Sequence, residues 1–253
     1  MISFCAPNLL NNPDYQELNS LNLFITPIFK LVWDNYLIIA KTKQRVIGKP
    51  SFRLGTQEIN VMGIRRNPEV SFNEKDYFYN DILIIQMSYS DEFYIFKVTM
   101  DPKGKVNKIA HLLEGIYASY NTLRPHRWVP GRTAIVQDRD AVIVARTDST
   151  GKVIIKEKSG IFGINIHDSD KYLNSSMGCT VLEPESALNQ YQFAQHFKPL
   201  IKSIFNKDSV DYTVINIDLL KSILKSVKDK IEIPTSIFKM AFNANNIINK
   251  LMV

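Results

Sequence analysis

The stretch Gly163-Ile-Asn-Ile-His167-Asp-Ser-Asp-Lys-Tyr-Leu-Asn-Ser-Ser176-Met-Gly178-Cys179-Thr-Val181 concentrates the residue types best suited to chemistry. Cys179 is one of two cysteines, follows a glycine and closes a polar loop, while His167 ends an apolar, strand-like run upstream of it. A thiol becomes a strong nucleophile when a neighbour takes its proton, and an imidazole titrating near neutrality is suited to take it. Gly178 would let the backbone approach the sulfur closely, and amide N–H groups nearby would form an oxyanion hole for a tetrahedral intermediate. Against this stands plain burial. A Cys after Gly is commonly a small buried hydrophobe, and a His at a strand end commonly a satisfied polar residue.

The remaining sequence narrows the chemistry. Four His and two Cys lie without metal-ligand spacing, and no Gly-rich phosphate loop occurs, so neither a metal nor a cofactor is expected. His111 reads as a helix surface residue, and His196 as a surface or helix-packing one. The 31 basic residues exceed the 25 acidic ones by six, giving a pI near 9.1, a bias compatible with several anionic partners. No basic stripe is interleaved with aromatics, so nucleic acid is not expected, and Arg65-Arg66 and Lys41–Arg45 read as solvated charge.

The chain opens without a basic segment ahead of an apolar one, so an export signal is not expected. Pro27, Lys30, Asp34 and Asn35 interrupt the apolar run Leu21–Ala40, whose helical spacing fits an amphipathic helix packed on the domain rather than a membrane span. The expectation is a soluble protein.

Three regions separate by pattern. Residues 1–55 read as a helical arm with a helix start at Asn12-Pro13 and a break at Gly48-Lys-Pro50. Residues 56–218 are dominated by strands: Glu58–Arg65, Asp81–Tyr89, Glu92–Thr99, Thr133–Gln137, Ala141–Arg146, Val153–Glu157, Phe162–His167, Cys179–Leu182 and Tyr212–Ile217. Ser90-Asp91 and Asp138-Arg-Asp140 read as hairpin loops, and Asp148-Ser-Thr-Gly151 as a longer turn. Lys105–Tyr120 is expected to be a helix, with Ile109, Leu112, Leu113 and Ile116 on one face. Glu185–Phe205 also reads as a helix, kinked at Pro199. Residues 219–253 form a helical tail with a second start at Pro234-Thr235-Ser236. The fold class is therefore α+β and mainly β: a mostly antiparallel sandwich or barrel with helical additions at both ends.

His167, followed by a loop ending in Ser176-Met-Gly178-Cys179, resembles the active-site stretch of the L,D-transpeptidase catalytic domain family. There a strand His precedes a Ser-His-Gly-Cys element, usually with an Arg two places beyond the Cys. Divergent phage-associated members, which carry Ser-x-Gly-Cys, are more similar. Asp81–Asp101, ending in the bend Thr99-Met-Asp-Pro102, resembles the family's strand–turn–strand unit. Arg124-Pro-His126 with Pro130-Gly-Arg132 and Ala134–Gln137 resembles a further strand pair in which a His faces the site. Met177 and Val181 depart from the family's second His and its Arg, and the loop is shorter.

The resemblance implies an L,D-transpeptidase type of fold over residues 56–218 and acyl transfer or hydrolysis on peptidoglycan stem peptides. It makes Cys179 the nucleophile and His167 the base, with Ser176 and Gly178 supporting them. His126 and Arg132 would handle protons and grip a substrate carboxylate. It also implies a phage-encoded protein for wall lysis or remodelling, present in the host cytoplasm or the virion. The alternative is an inactive relative serving as a virion structural, cargo or wall-binding protein. A third reading has the terminal helices assembling with partner subunits.

Overall fold

The computed structural model describes residues 13–21, 23–54, 58–66, 80–88, 92–101, 108–121, 134–167, 177–182 and 209–228. Two helices open it, α1 (Pro13–Ser20) and α2 (Thr26–Thr42). Twelve strands follow: β1 (Val46–Ile47), β2 (Ile59–Arg65), β3 (Asp81–Met87), β4 (Glu92–Thr99), β5 (Ile109–Leu112), β6 (Gly115–Asn121), β7 (Ala134–Gln137), β8 (Val142–Thr147), β9 (Val153–Gly160), β10 (Ile166–His167), β11 (Thr180–Leu182) and β12 (Ser209–Asn216). Helix α3 (Ile217–Lys228) continues directly from β12.

Eight strands close a barrel in the order β6-β12-β2-β3-β4-β11-β10-β7, with β7 returning to β6 through Tyr120↔Gln137 and Asn121↔Val136. Strand β1 adds to the same edge of β6 one step earlier, at Ile116 and Tyr117. Strands β5, β8 and β9 make a separate small sheet. Most pairings are antiparallel, but β1–β6, β2–β12 and β10–β11 are parallel, which the hairpin pattern did not suggest.

Strand side chains alternate between two faces, and in barrel strands such as β2 and β3 both faces are buried. Inside the barrel, Val61, Leu83, Ile85, Phe96, Val98, Tyr212 and Val214 pack with Ala110, Leu112, Val142 and Val144 of the small sheet. On the outer face of β2, β3, β4 and β12, Met62, Ile64, Ile82, Ile84, Phe93, Ile95 and Ile215 pack under the helices. Phe29, Val32, Trp33 and Tyr36 of α2 and Leu220, Ile223 and Leu224 of α3 complete that second core. Hydrogen bonds fix α2 to β12: Trp33 Nε1–H donates to Thr213 Oγ1 at 3.1 Å and Tyr36 Oη–H to the Val214 carbonyl at 2.7 Å. An ion pair of 2.9 Å between Lys221 and Glu17 joins α3 to α1. The described parts of the arm and tail thus spend their apolar faces on the domain's own core.

Three readings of the sequence require correction. The segment 105–120 is no helix where it is described, because β5 and β6 flank the turn at Leu113-Glu114. His111 is accordingly a fully buried strand residue, not a helix surface one. Strands β7 and β8 do not form a hairpin around Asp138–Asp140, since they diverge into different sheets. The turn at Asp148–Gly151 does join β8 to β9, with Gly151 at φ 86° and Asp148 accepting the N–H groups of Thr150 and Lys152 at 2.9 and 3.0 Å. The helix read at 185–205 and the start at Pro234 lie outside the described residues.

Candidate active site around Cys179

Strands β10 and β11 run parallel side by side, with Ile166 opposite Thr180 and His167 opposite Val181. Partners in register share a face. Cys179 and Val181 form a small cluster of their own, apart from the barrel core. Thr180, between them, turns the other way, its hydroxyl 3.1 Å from that of Tyr212 in the barrel interior. His167 and Cys179 therefore stand on the same face of adjacent strands, two residues apart along the strand direction. Both are largely buried, with 5 % and 9 % of their surface exposed.

The thiol is held by backbone. Asn165 N–H donates to Cys179 Sγ at 3.4 Å, and the thiol donates to the Gly163 carbonyl at 3.5 Å. The amide contact favours a thiolate, whereas the carbonyl contact holds the neutral thiol. Gln137, buried on β7, fixes the segment that supplies both groups. Its Oε1 accepts N–H from Phe162, Gly163 and Ile164 at 2.9, 2.8 and 3.3 Å, and its backbone N–H donates to Asn165 Oδ1 at 3.0 Å.

Gly178 is required on two counts. Its φ is 137°, and a Cβ there would lie 2.5 Å from the Ala110 carbonyl oxygen. The neighbouring Met177 carbonyl accepts the Ala110 N–H at 3.0 Å, pinning the approach to Cys179 against β5. Gly178→Ala is expected to cost about 2 kcal/mol or more and to free the thiol from its backbone contacts. Urea unfolding would read the first effect, and faster Cys179 alkylation in the folded protein the second. An unchanged midpoint would show that the segment relaxes freely.

Of the residues singled out in the sequence, His167, Gly178 and Cys179 are brought together. Ser176, His126 and Arg132 lie outside the described residues, as does Cys5. Met177 is 64 % exposed beside the site. Gln137, Gly163 and Asn165 were not singled out as parts of a thiol cradle, because only the adjacency of β7, β10 and β11 gives them that role.

A second polar cluster was also missed. Arg65 is 1 % exposed, so it is not solvated charge as its sequence context suggested. Its guanidinium pairs with Asp101 at 2.8 Å and donates to the Leu112 carbonyl at 2.6 Å. Asp101 lies 3.0 Å from His111 Nδ1, and His111 Nε2 lies 2.9 Å from Thr147 Oγ1. This acid–imidazole–hydroxyl line has the form of a catalytic triad, but His111 and Thr147 are fully buried and no substrate reaches them. Nearby, Asp81 accepts N–H from Arg66 and Met100 at 2.9 and 2.8 Å. Burial, with Asp101 adding, pushes the Asp81 carboxyl up to about 6 against the opposing pull of Arg65. Burial also raises Asp101, but Arg65 and His111 outweigh it and hold that carboxyl below the usual range.

Among the described residues, no group of three or more His, Cys, Asp or Glu is placed to hold a metal ion, and no helix is long and apolar enough to cross a membrane. No protein-family model, curated protein or solved structure matches the chain. Its class is thus defined by architecture alone: a closed, eight-stranded mixed barrel with a helical layer and a side sheet.

Proposed function

We propose that the chain is a cysteine-dependent acyltransferase or hydrolase acting on peptidoglycan stem peptides. The observation that carries this reading is the placement of thiol and imidazole on one face of two adjacent parallel strands. The choice of substrate rests on the similarity of Gly163–Val181 to the L,D-transpeptidase active-site stretch. In this scheme His167 takes the Cys179 proton, and the thiolate attacks a peptide carbonyl next to a D- or meso-diamino acid. The C–N bond breaks, the imidazolium protonates the departing amine, and a thioester remains. An amine acceptor would convert it to a cross-link, and water to a carboxypeptidase or endopeptidase product, with the thiol restored in either case. Ser176 is assigned to orienting His167 or bonding the intermediate, His126 to proton transfer and Arg132 to gripping a substrate carboxylate. A phage lysis or virion-carried protein suits this activity.

A second reading, an inactive virion or wall-binding relative, draws on the 9 % exposure of Cys179 and on Met177 and Val181 at the departing positions. Muropeptide chromatography of sacculi treated with wild type and Cys179→Ala separates the two. The enzyme reading expects new or lost muropeptides with wild type and a loss of about a thousandfold or more in the variant, whose fold is retained. Equal activity in the variant would contradict it. Sacculus binding by wild type with unchanged muropeptides would favour the second reading.

A further inference from the structure

A cavity of about 640 Å³ opens where the end of α2 meets β1, the β5–β6 turn and strand β9. Its size falls within the range of small-molecule sites, roughly 300–1,000 Å³. Tyr36, Leu113 and Val153 give it an aromatic and aliphatic wall. Four cationic side chains line it, and two of them are already neutralised: Arg45 pairs with Glu157, and Arg65 with Asp101. That leaves Lys43, at the end of α2, and Lys156, on β9, against the single carboxylate of Glu114. Neither ammonium group has an ion-pair or hydrogen-bond partner among the described residues, and both lysines are exposed.

An apolar wall with two uncommitted ammonium groups at its rim is matched by one kind of molecule. We propose that this cavity binds a small organic anion, a carboxylate or phosphate carried on a short apolar body. The apolar body lies against Tyr36, Leu113 and Val153, and the anionic head bridges Lys43 and Lys156. The paired Arg45–Glu157 and Arg65–Asp101 give the cavity fixed walls, so the lysines need only swing their flexible stems to meet the ligand. The site shares no residue with the Cys179 region and stands or falls independently of the reaction proposed there.

The test is amide chemical-shift titration of the full chain with three probes: hexanoate, hexyl phosphate and inorganic phosphate. Hexanol is the uncharged control. Saturable shifts with hexanoate or hexyl phosphate, centred on residues 36–45 and 153–157 and weakened at least tenfold in Lys43→Ala/Lys156→Ala, are expected. Lys158→Ala, on the same strand but outside the cavity lining, should bind as wild type does. The stronger of the two organic probes names the head group. Hexanol binding as tightly as the anions, or affinities unchanged in the double variant, would overturn the anion site. Inorganic phosphate binding as tightly as the organic anions would overturn the apolar half of the proposal. No saturable shift from any probe would overturn it entirely.

Discussion

Arg65→Met is expected to destabilise the protein by about 3–5 kcal/mol, the cost of leaving a buried charge without its partner. For a chain of this size, at about 2–4 °C per kcal/mol, the melting temperature falls by roughly 6–20 °C. The size of the effect follows from what the guanidinium holds. It pairs with Asp101, donates to the Leu112 carbonyl that ends β5, and lowers the charge cost of Asp81. The loss therefore reaches both the barrel and the side sheet.

The pH dependence has a defined sign. In wild type, Asp81 is raised in the fold, so its contribution to stability declines as pH climbs from about 4 to about 6. Asp101 is lowered, so its contribution is present above the unfolded carboxylate value and is lost as pH falls through its folded one. Without Arg65 both carboxyls move up, and acid then relieves the defect. The deficit of the variant should shrink as pH drops from 7 toward 5. Urea midpoints across that range check it. A double variant, Arg65→Met/Asp101→Asn, should cost less than the sum of the single changes, by about 1 kcal/mol or more. Strict additivity would mean that the pair is not a unit.

His167→Ala is the second change with a large expected effect, on reactivity rather than on the fold. If His167 is the base for Cys179, activity on sacculi falls by about 10²–10⁴-fold near neutral pH. The loss should be smaller at alkaline pH, where the thiol ionises without help. The same contrast should appear in alkylation of Cys179 by iodoacetamide, slowed in the variant at pH 7 and much less so at pH 9. That readout separates a base from a structural histidine, because a purely structural defect would slow or speed labelling by a similar factor at both pH values.

Elements whose two faces meet clearly different surroundings could be read from the sequence, as could local turn chemistry. Strands β2, β3 and β4 end within two residues of the expected bounds, and Asp148–Gly151 is the expected turn. The segment 105–120 failed for a physical reason. Ala110 and Leu112 face the barrel core while Ile116 faces the helical layer, so apolar residues at 109, 112, 113 and 116 mimic a helical stripe although two strands and the turn between them carry them. Burial of the barrel on both faces removes the period-two signal that would have corrected the reading. Arg65 failed for another reason. Its partners, Asp101 and the Leu112 carbonyl, come from distant parts of the chain, and nothing beside Arg65 in sequence announces them.

In the site, the residue types at His167, Gly178 and Cys179 were legible, and the parallel pairing of β10 with β11 is what sets the first and last on one face. The support from Gln137 was not legible, because it depends on β7 returning beside β10. The packing of the arm's long helix on the domain was legible in its helical spacing: Phe29, Val32, Trp33 and Tyr36 are buried against the barrel and make α2 one of its layers.

The most direct test of the central claim, that Cys179 is an activated nucleophile, is intact mass after incubation with a carbapenem, comparing wild type with Cys179→Ser. The account predicts a single covalent adduct on wild type, mapped to Cys179, with none on the variant. A wild-type protein that stays unmodified while folded, or an adduct that persists in Cys179→Ser, would contradict it.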